Sequence, residues 1–185
     1  YLRLRGEALA KAGKRKSAFE AYLRLADMPN LADQPIRATA DVSIRRERWV
    51  KARIDELLAG ADDADRQAMR EEADRRRAAT SASGDVDKMR RFLRYFDDGV
   101  EADAVRMQLA SRLIEADELL EAENLLLAIA ARNDPATSAE AVGRLAKLLV
   151  DSGRPAEAVA YYERLVGPLA DVKGLDGLTG RALAE

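Results

Sequence analysis

Between Ala104 and Val166 the apolar positions fall into one helix-turn-helix pattern written twice. Setting AVRMQLASRLIEADELLEAENLLLAIA above AVGRLAKLLVDSGRPAEAVAYYERLV, with Asp117 over Gly153, brings Leu109 over Leu145, Ala110 over Ala146 and Leu113 over Leu149. In the second helices Ala122 falls over Ala158, Leu126 over Tyr162 and Ile129 over Leu165. Steps of three and four residues mark amphipathic helices. The offset is constant and lies near the ~34-residue period at which helical hairpins stack, so the pattern predicts an all-α fold, an α-solenoid of stacked antiparallel helix hairpins.

The same pattern extends in weaker form to the rest of the chain. Residues 1 to 27 predict a first hairpin broken at Gly13, with Leu2, Gly6, Leu9, Ala18, Tyr22 and Leu25 placed about that glycine as the later residues are about Asp117 and Gly153. The stretch from Asp27 to Pro35 breaks helix with two prolines. Ile36, Ala40, Ile44, Val50, Ile54, Leu57 and Leu58 then trace a helical stripe, with Val42 and Trp49 beside it, and predict one long irregular helix over 36 to 59. Either an insertion or half of a repeat unit accounts for it. Beyond Gly60, Asp62, Asp63 and Asp65 offer a cap and an acidic first turn for a polar helix over roughly 64 to 82, with Glu71 and Arg75, and Glu72 and Arg76, spaced for ion pairs. Gly84 and the amphipathic DVDKMRRFLRYF complete a degenerate unit over 64 to 98. The predicted repeat domain therefore covers 1 to 167, with regular units at about 100 to 131 and 138 to 166. Gly167, Pro168, Gly174, Gly177 and Gly180 then predict an exit segment or linker over 168 to 185.

The order within each regular unit is a small residue, a large apolar residue, a turn glycine, a small residue, an aromatic and an apolar residue, and it resembles the tetratricopeptide repeat. Small residues suit the close helix crossing and large ones fill the space beside it. Two positions depart from the family: Asp117 replaces the turn glycine, and Arg5 stands where an apolar residue is usual. The resemblance implies that the first helix of each unit lines a concave groove. By alignment that selects Arg3, Glu7 and Lys11, then Met107, Ser111, Ile114 and Glu115, then Lys147, Val150 and Asp151. A groove of this kind holds an extended peptide or a helix. The asparagine and lysine pattern with which some family members grip a C-terminal carboxylate is missing. GLDGLTGRAL near the end resembles the signature of the PQQ-type β-propeller at Leu175, Asp176, Thr179, Gly180 and Leu183. This implies a bacterial protein in which helical repeats accompany such a propeller, with the present segment as its spacer or brace.

Composition narrows the chemistry. Hydrophobic residues are 48% of the chain but aromatics only 5%, which favours closely packed Ala and Leu helices over sheets. Cysteine and histidine are both absent, which removes disulfides, Cys/His zinc sites, cysteine nucleophiles and histidine bases together. The glycines at 174, 177 and 180 do not have the spacing of a phosphate loop. Adjacent carboxylates such as Asp62 with Asp63, or Asp97 with Asp98, read as helix-end caps. No catalytic residue, metal or cofactor is expected. There is no run of 18 or so apolar residues, hence no predicted membrane span. The chain starts at Tyr1 and reads as a piece of a longer protein.

Charge leaves two further candidates. Arg45, Arg46, Arg48, Lys51 and Arg53 surround Trp49 and could hold a nucleic-acid phosphate while the indole stacks on a base. Asp41, Glu47, Asp55 and Glu56 share that stretch and the net charge is -2, so a structural role is the simpler reading. Residues 1 to 27 are basic on balance and residues 99 to 135 acidic, a polarity suited to steering a partner. The expected function is a non-catalytic scaffold that binds a protein or peptide.

Overall fold

A computed structural model describes residues 1–28, 35–37, 43–97, 100–174 and 177–185. The fold is mostly helical, with ten helices and one two-stranded sheet among the described residues. In chain order these are α1 (Leu2–Lys11), α2 (Arg15–Ala26), β1 (Pro35–Arg37), β2 (Ser43–Arg45), α3 (Arg46–Ala59), α4 (Asp63–Ser83), α5 (Val86–Tyr95), α6 (Val100–Glu115), α7 (Leu119–Ala130), α8 (Pro135–Asp151), α9 (Pro155–Val166) and α10 (Gly180–Ala184). The chain divides into two compact units. One holds residues 1–83 and 90–97; the other holds 84–89 and 98–185.

Three helix pairs, α1 with α2, α6 with α7 and α8 with α9, are closed by the same turn. Gly13, Asp117 and Gly153 have φ of 73°, 62° and 76°, the left-handed region in which a helix ends. The following residue returns its N–H to the carbonyl five residues back: Lys14 to Leu9 at 2.9 Å, Glu118 to Leu113 at 2.8 Å and Arg154 to Leu149 at 2.8 Å. Each turn thereby satisfies a carbonyl that the helix end would leave open.

In the first unit Phe19, Tyr22, Leu23, Trp49, Val50, Ile54, Met69 and Tyr95 form the core. Tyr22 meets Trp49 edge to face at 5.5 Å, the arrangement that ring quadrupoles favour. Gly6 lets α1 approach that ring, since a Cβ there would lie 2.2 Å from Tyr22 Cε1. The long helix expected over 36 to 59 is corrected: helix begins only at Arg46, and Pro35–Arg37 pairs antiparallel with Ser43–Arg45, Ile36 opposite Ile44. An eight-residue separation keeps two isoleucines on one helix face and, being even, on one face of paired strands as well. The β-branched side chains and Pro35 favour the strands. Ala40 and Val42 of the expected stripe lie outside the described residues.

The polar helix is present as α4, and Met69 is its one buried residue. Asp62 accepts from the Asp65 N–H at 2.8 Å as a cap. Of the two expected ion pairs Glu72 with Arg76 forms, at 3.1 Å. Arg75 turns instead to Glu72, at 2.7 Å, and Glu71 accepts from Gln67.

In the second unit the aligned residues meet as core: Leu109, Leu113, Leu126, Ile129, Leu145, Leu149 and Leu165 are each at most 1% exposed. Asp134 opens α8, accepting from Thr137 N–H at 2.9 Å with Pro135 next in line. The chain after α9 packs back on the unit. Gly180 sits so close to the Leu165 and Leu169 carbonyls that no Cβ fits, Leu183 reaches Gly143, and Lys173 bridges Thr179. Thr179 caps α10, so helix follows the bridge. Leu175 and Asp176 of the propeller-like signature lie outside the described residues.

Candidate functional site

The residues selected for a groove fall in both units. In the first, Arg3 pairs with Glu7 at 3.0 Å, donates to the Arg37 carbonyl at 3.1 Å and lies 5.5 Å over the Trp49 ring. Lys11 is exposed at the end of α1.

In the second unit α6 and α8 lie side by side, joined where Arg144 donates to the Ser111 hydroxyl and to Glu140 at 3.0 Å. One turn further along, Ile114 and Val150 are 37% and 41% exposed, while their neighbours Leu113 and Leu149 are buried. The alignment that superposes the two pairs places Ile114 over Val150, Ser111 over Lys147 and Glu115 over Asp151. Charges frame the two aliphatic side chains. Arg112 pairs with Glu115 at 3.1 Å and Lys147 with Asp151 at 2.9 Å. The hydrogen bond and charge of Asp151 raise the Lys147 ammonium above its ordinary pKa, so it stays a cation throughout the neutral range. Met107 differs from the rest in being buried, 8% exposed.

The basic stretch about Trp49 is largely committed within the protein. Trp49 is 5% exposed, under Arg3 and Arg53, and offers no free face to a base. Arg46 is buried and donates to the Met28 carbonyl, Lys51 binds Asp97 at 2.9 Å and Asp55 at 3.2 Å, and Arg53 binds Glu56 at 2.6 Å. Burial depresses the Lys51 pKa, but its bonds to Asp97 and Asp55 outweigh that and raise it.

Two features escape a reading based on apolar periodicity. Asp103, 5% exposed, joins Arg106 at 2.7 Å and Arg132 at 3.3 Å; the three-residue step from 103 to 106 was the available signal. Arg154 and Arg164 tie α9 to α7. Arg154 reaches Glu123 at 2.6 Å and Glu157 at 2.7 Å, and Arg164 reaches the Ala130 carbonyl at 2.9 Å. Among the described residues no group of acidic side chains could hold a metal ion, and no helix is long and apolar enough to cross a membrane.

Comparison with known proteins gives no match. No family model, no curated protein and no solved structure corresponds to the chain. The functional reading therefore stands on the helix pairs themselves.

Proposed function

We propose that this protein is a non-catalytic scaffold, an α-solenoid of tetratricopeptide-like helix pairs within a larger bacterial protein, whose first helices bind a peptide or a helix of a partner. The observation that carries the reading is the pair Ile114 and Val150, exposed at equivalent positions of two neighbouring first helices. A single exposed aliphatic residue is ordinary. Its recurrence at the same place in successive units makes an apolar line, and the flanking Glu115, Lys147 and Asp151 give that line polar edges. This is the anatomy of a small interface, with an apolar centre and a charged rim. The missing histidine and cysteine, together with carboxylates engaged in caps and ion pairs, leave binding as the better-supported role.

The test is selection of peptides from a random library on the intact protein, followed by the double variant Ile114→Glu, Val150→Glu. Both sites face solvent, so the thermal melt should hold while peptide affinity falls at least about tenfold, the cost of setting charge into an apolar contact. Peptides that bind the double variant as well as the parent protein contradict the reading.

A further inference from the structure

The helix pair α8 with α9 is held against the helix before it, and the pair α1 with α2 carries the same gripping positions with nothing in them. With Gly13 set over Gly153, Lys14 falls over Arg154 and Arg24 over Arg164. In the second unit Arg154 donates to both carboxylate oxygens of Glu123 on α7, at 2.6 and 3.2 Å. Arg164 donates to the carbonyl of Ala130, the last residue of α7, at 2.9 Å. On α8, Ala141, Leu145 and Leu148 are buried, at 0%, 0% and 4% exposure.

The corresponding positions of α1 are open. Tyr1 takes the place of Ala141 and is 88% exposed, Leu4 beside it is 66% exposed, and Arg5 and Ala8, which replace Leu145 and Leu148, face solvent. Lys14 and Arg24 are exposed and have no ionic or hydrogen-bonding partner among the described residues. Ser17 replaces Glu157, so Lys14 also lacks the second carboxylate that Arg154 has in its own pair. A pocket lined by Leu2, Arg5, Ser17, Glu20, Ala21 and Arg24 opens between the two helices, and Arg164 holds the corresponding place in α9.

We infer that this face of α1 and α2 docks the C-terminal half of an amphipathic α-helix from a partner protein. The α7 geometry specifies that helix. Its last carbonyl lies on Arg24, a carboxylate seven residues earlier lies on Lys14, and small or aliphatic residues between them cover Ala8 and Leu4, as Ala122, Leu126 and Ile129 are buried in the second unit. Arg5, in place of a leucine, calls for a second acid in the partner. Cations at a helix C-terminus are also favoured by the helix dipole. The inference rests on the protein-binding reading but uses a different surface, remote in sequence from Ile114 and Val150.

The probe is a helix-stapled peptide with the sequence of α7, residues 118–132, titrated into the intact protein and followed by fluorescence anisotropy and amide NMR. Binding should perturb α1 and α2 and weaken with salt. Lys14→Glu should reduce affinity about tenfold, and a peptide carrying Glu123→Lys should restore it to that variant, as paired charges across an interface do. Arg24→Glu should reduce it similarly, and Val150→Glu should leave it unchanged. Absence of binding, equal affinity for Lys14→Glu and parent protein, or shifts confined to α6 to α9 would overturn the inference. Loss of binding in Val150→Glu alone would overturn it as well, while leaving the proposed function standing.

Discussion

Asp117 adopts φ of 62° at a turn where the other two regular helix pairs have glycine. An L-residue in the left-handed region carries a penalty of roughly 1–2 kcal/mol, partly offset because glycine is the more flexible residue when unfolded. Asp117→Gly is therefore expected to stabilise the second unit by about 0.5–1 kcal/mol, measured by urea unfolding; an unchanged or lower midpoint would mean that the Asp117 side chain contributes more than its backbone loses. Titration is a second consequence of single residues. Burial raises the phenol pKa of Tyr22 and of Tyr95 above 10.0. A folded pKa above the unfolded one gives stability that is whole below about 10 and declines as pH rises through the folded value. At the acid end Asp134 is held below 3.8 by its bonds from the Thr137 side chain and backbone, so its contribution persists above 3.8 and is lost as pH falls through the folded value. With no histidine or cysteine, no side chain has its ordinary pKa between these limits near neutrality. The expected profile is flat between about pH 6 and 9, with an alkaline decline that Tyr22→Phe, Tyr95→Phe makes shallower. A neutral-range slope, or an alkaline decline unaltered in the double variant, would contradict it.

At the scale of elements, α4 separates packing from ion pairing. It is laced with charges, yet Met69 is the residue it buries, at 1% exposure. Met69→Ala is expected to cost about 2–5 kcal/mol and Arg75→Ala less than about 1, both read from denaturant midpoints; a reversed order would mean that α4 is held by its ion pairs. What was legible in the sequence follows the same division. The pairs α6 with α7 and α8 with α9 could be read because their Leu and Ala residues repeat at helical spacing and are the residues the fold buries. The paired strands about Ile36 and Ile44 could not, because an eight-residue step suits both a helix and a hairpin and nothing local favours one period. The fastening of α9 onto α7 escaped notice for another reason: Arg154 with Glu123 lies 31 residues apart, and Arg164 uses a backbone carbonyl that no side-chain pattern records. Met107 shows the limit of alignment, since one helical position differs between surface and interior by a rotation too small for sequence spacing to resolve.

For the molecule as a whole, each unit has its own core, and the surfaces of interest lie where repeat logic leaves a position uncovered. Ile114 and Val150 are exposed on adjacent first helices, and Lys14 and Arg24 stand ready at a pair with no helix before it. Both readings depend on the helix pairs being copies of one unit that differ in what covers them. The most direct measurement is a crystal structure of the intact protein with a library-selected peptide. The expected result is a peptide lying across α6 and α8 in contact with Ile114 and Val150, with the turns at Gly13, Asp117 and Gly153 superposing. A peptide bound elsewhere, or an Ile114 and Val150 face covered by another part of the chain, would contradict it.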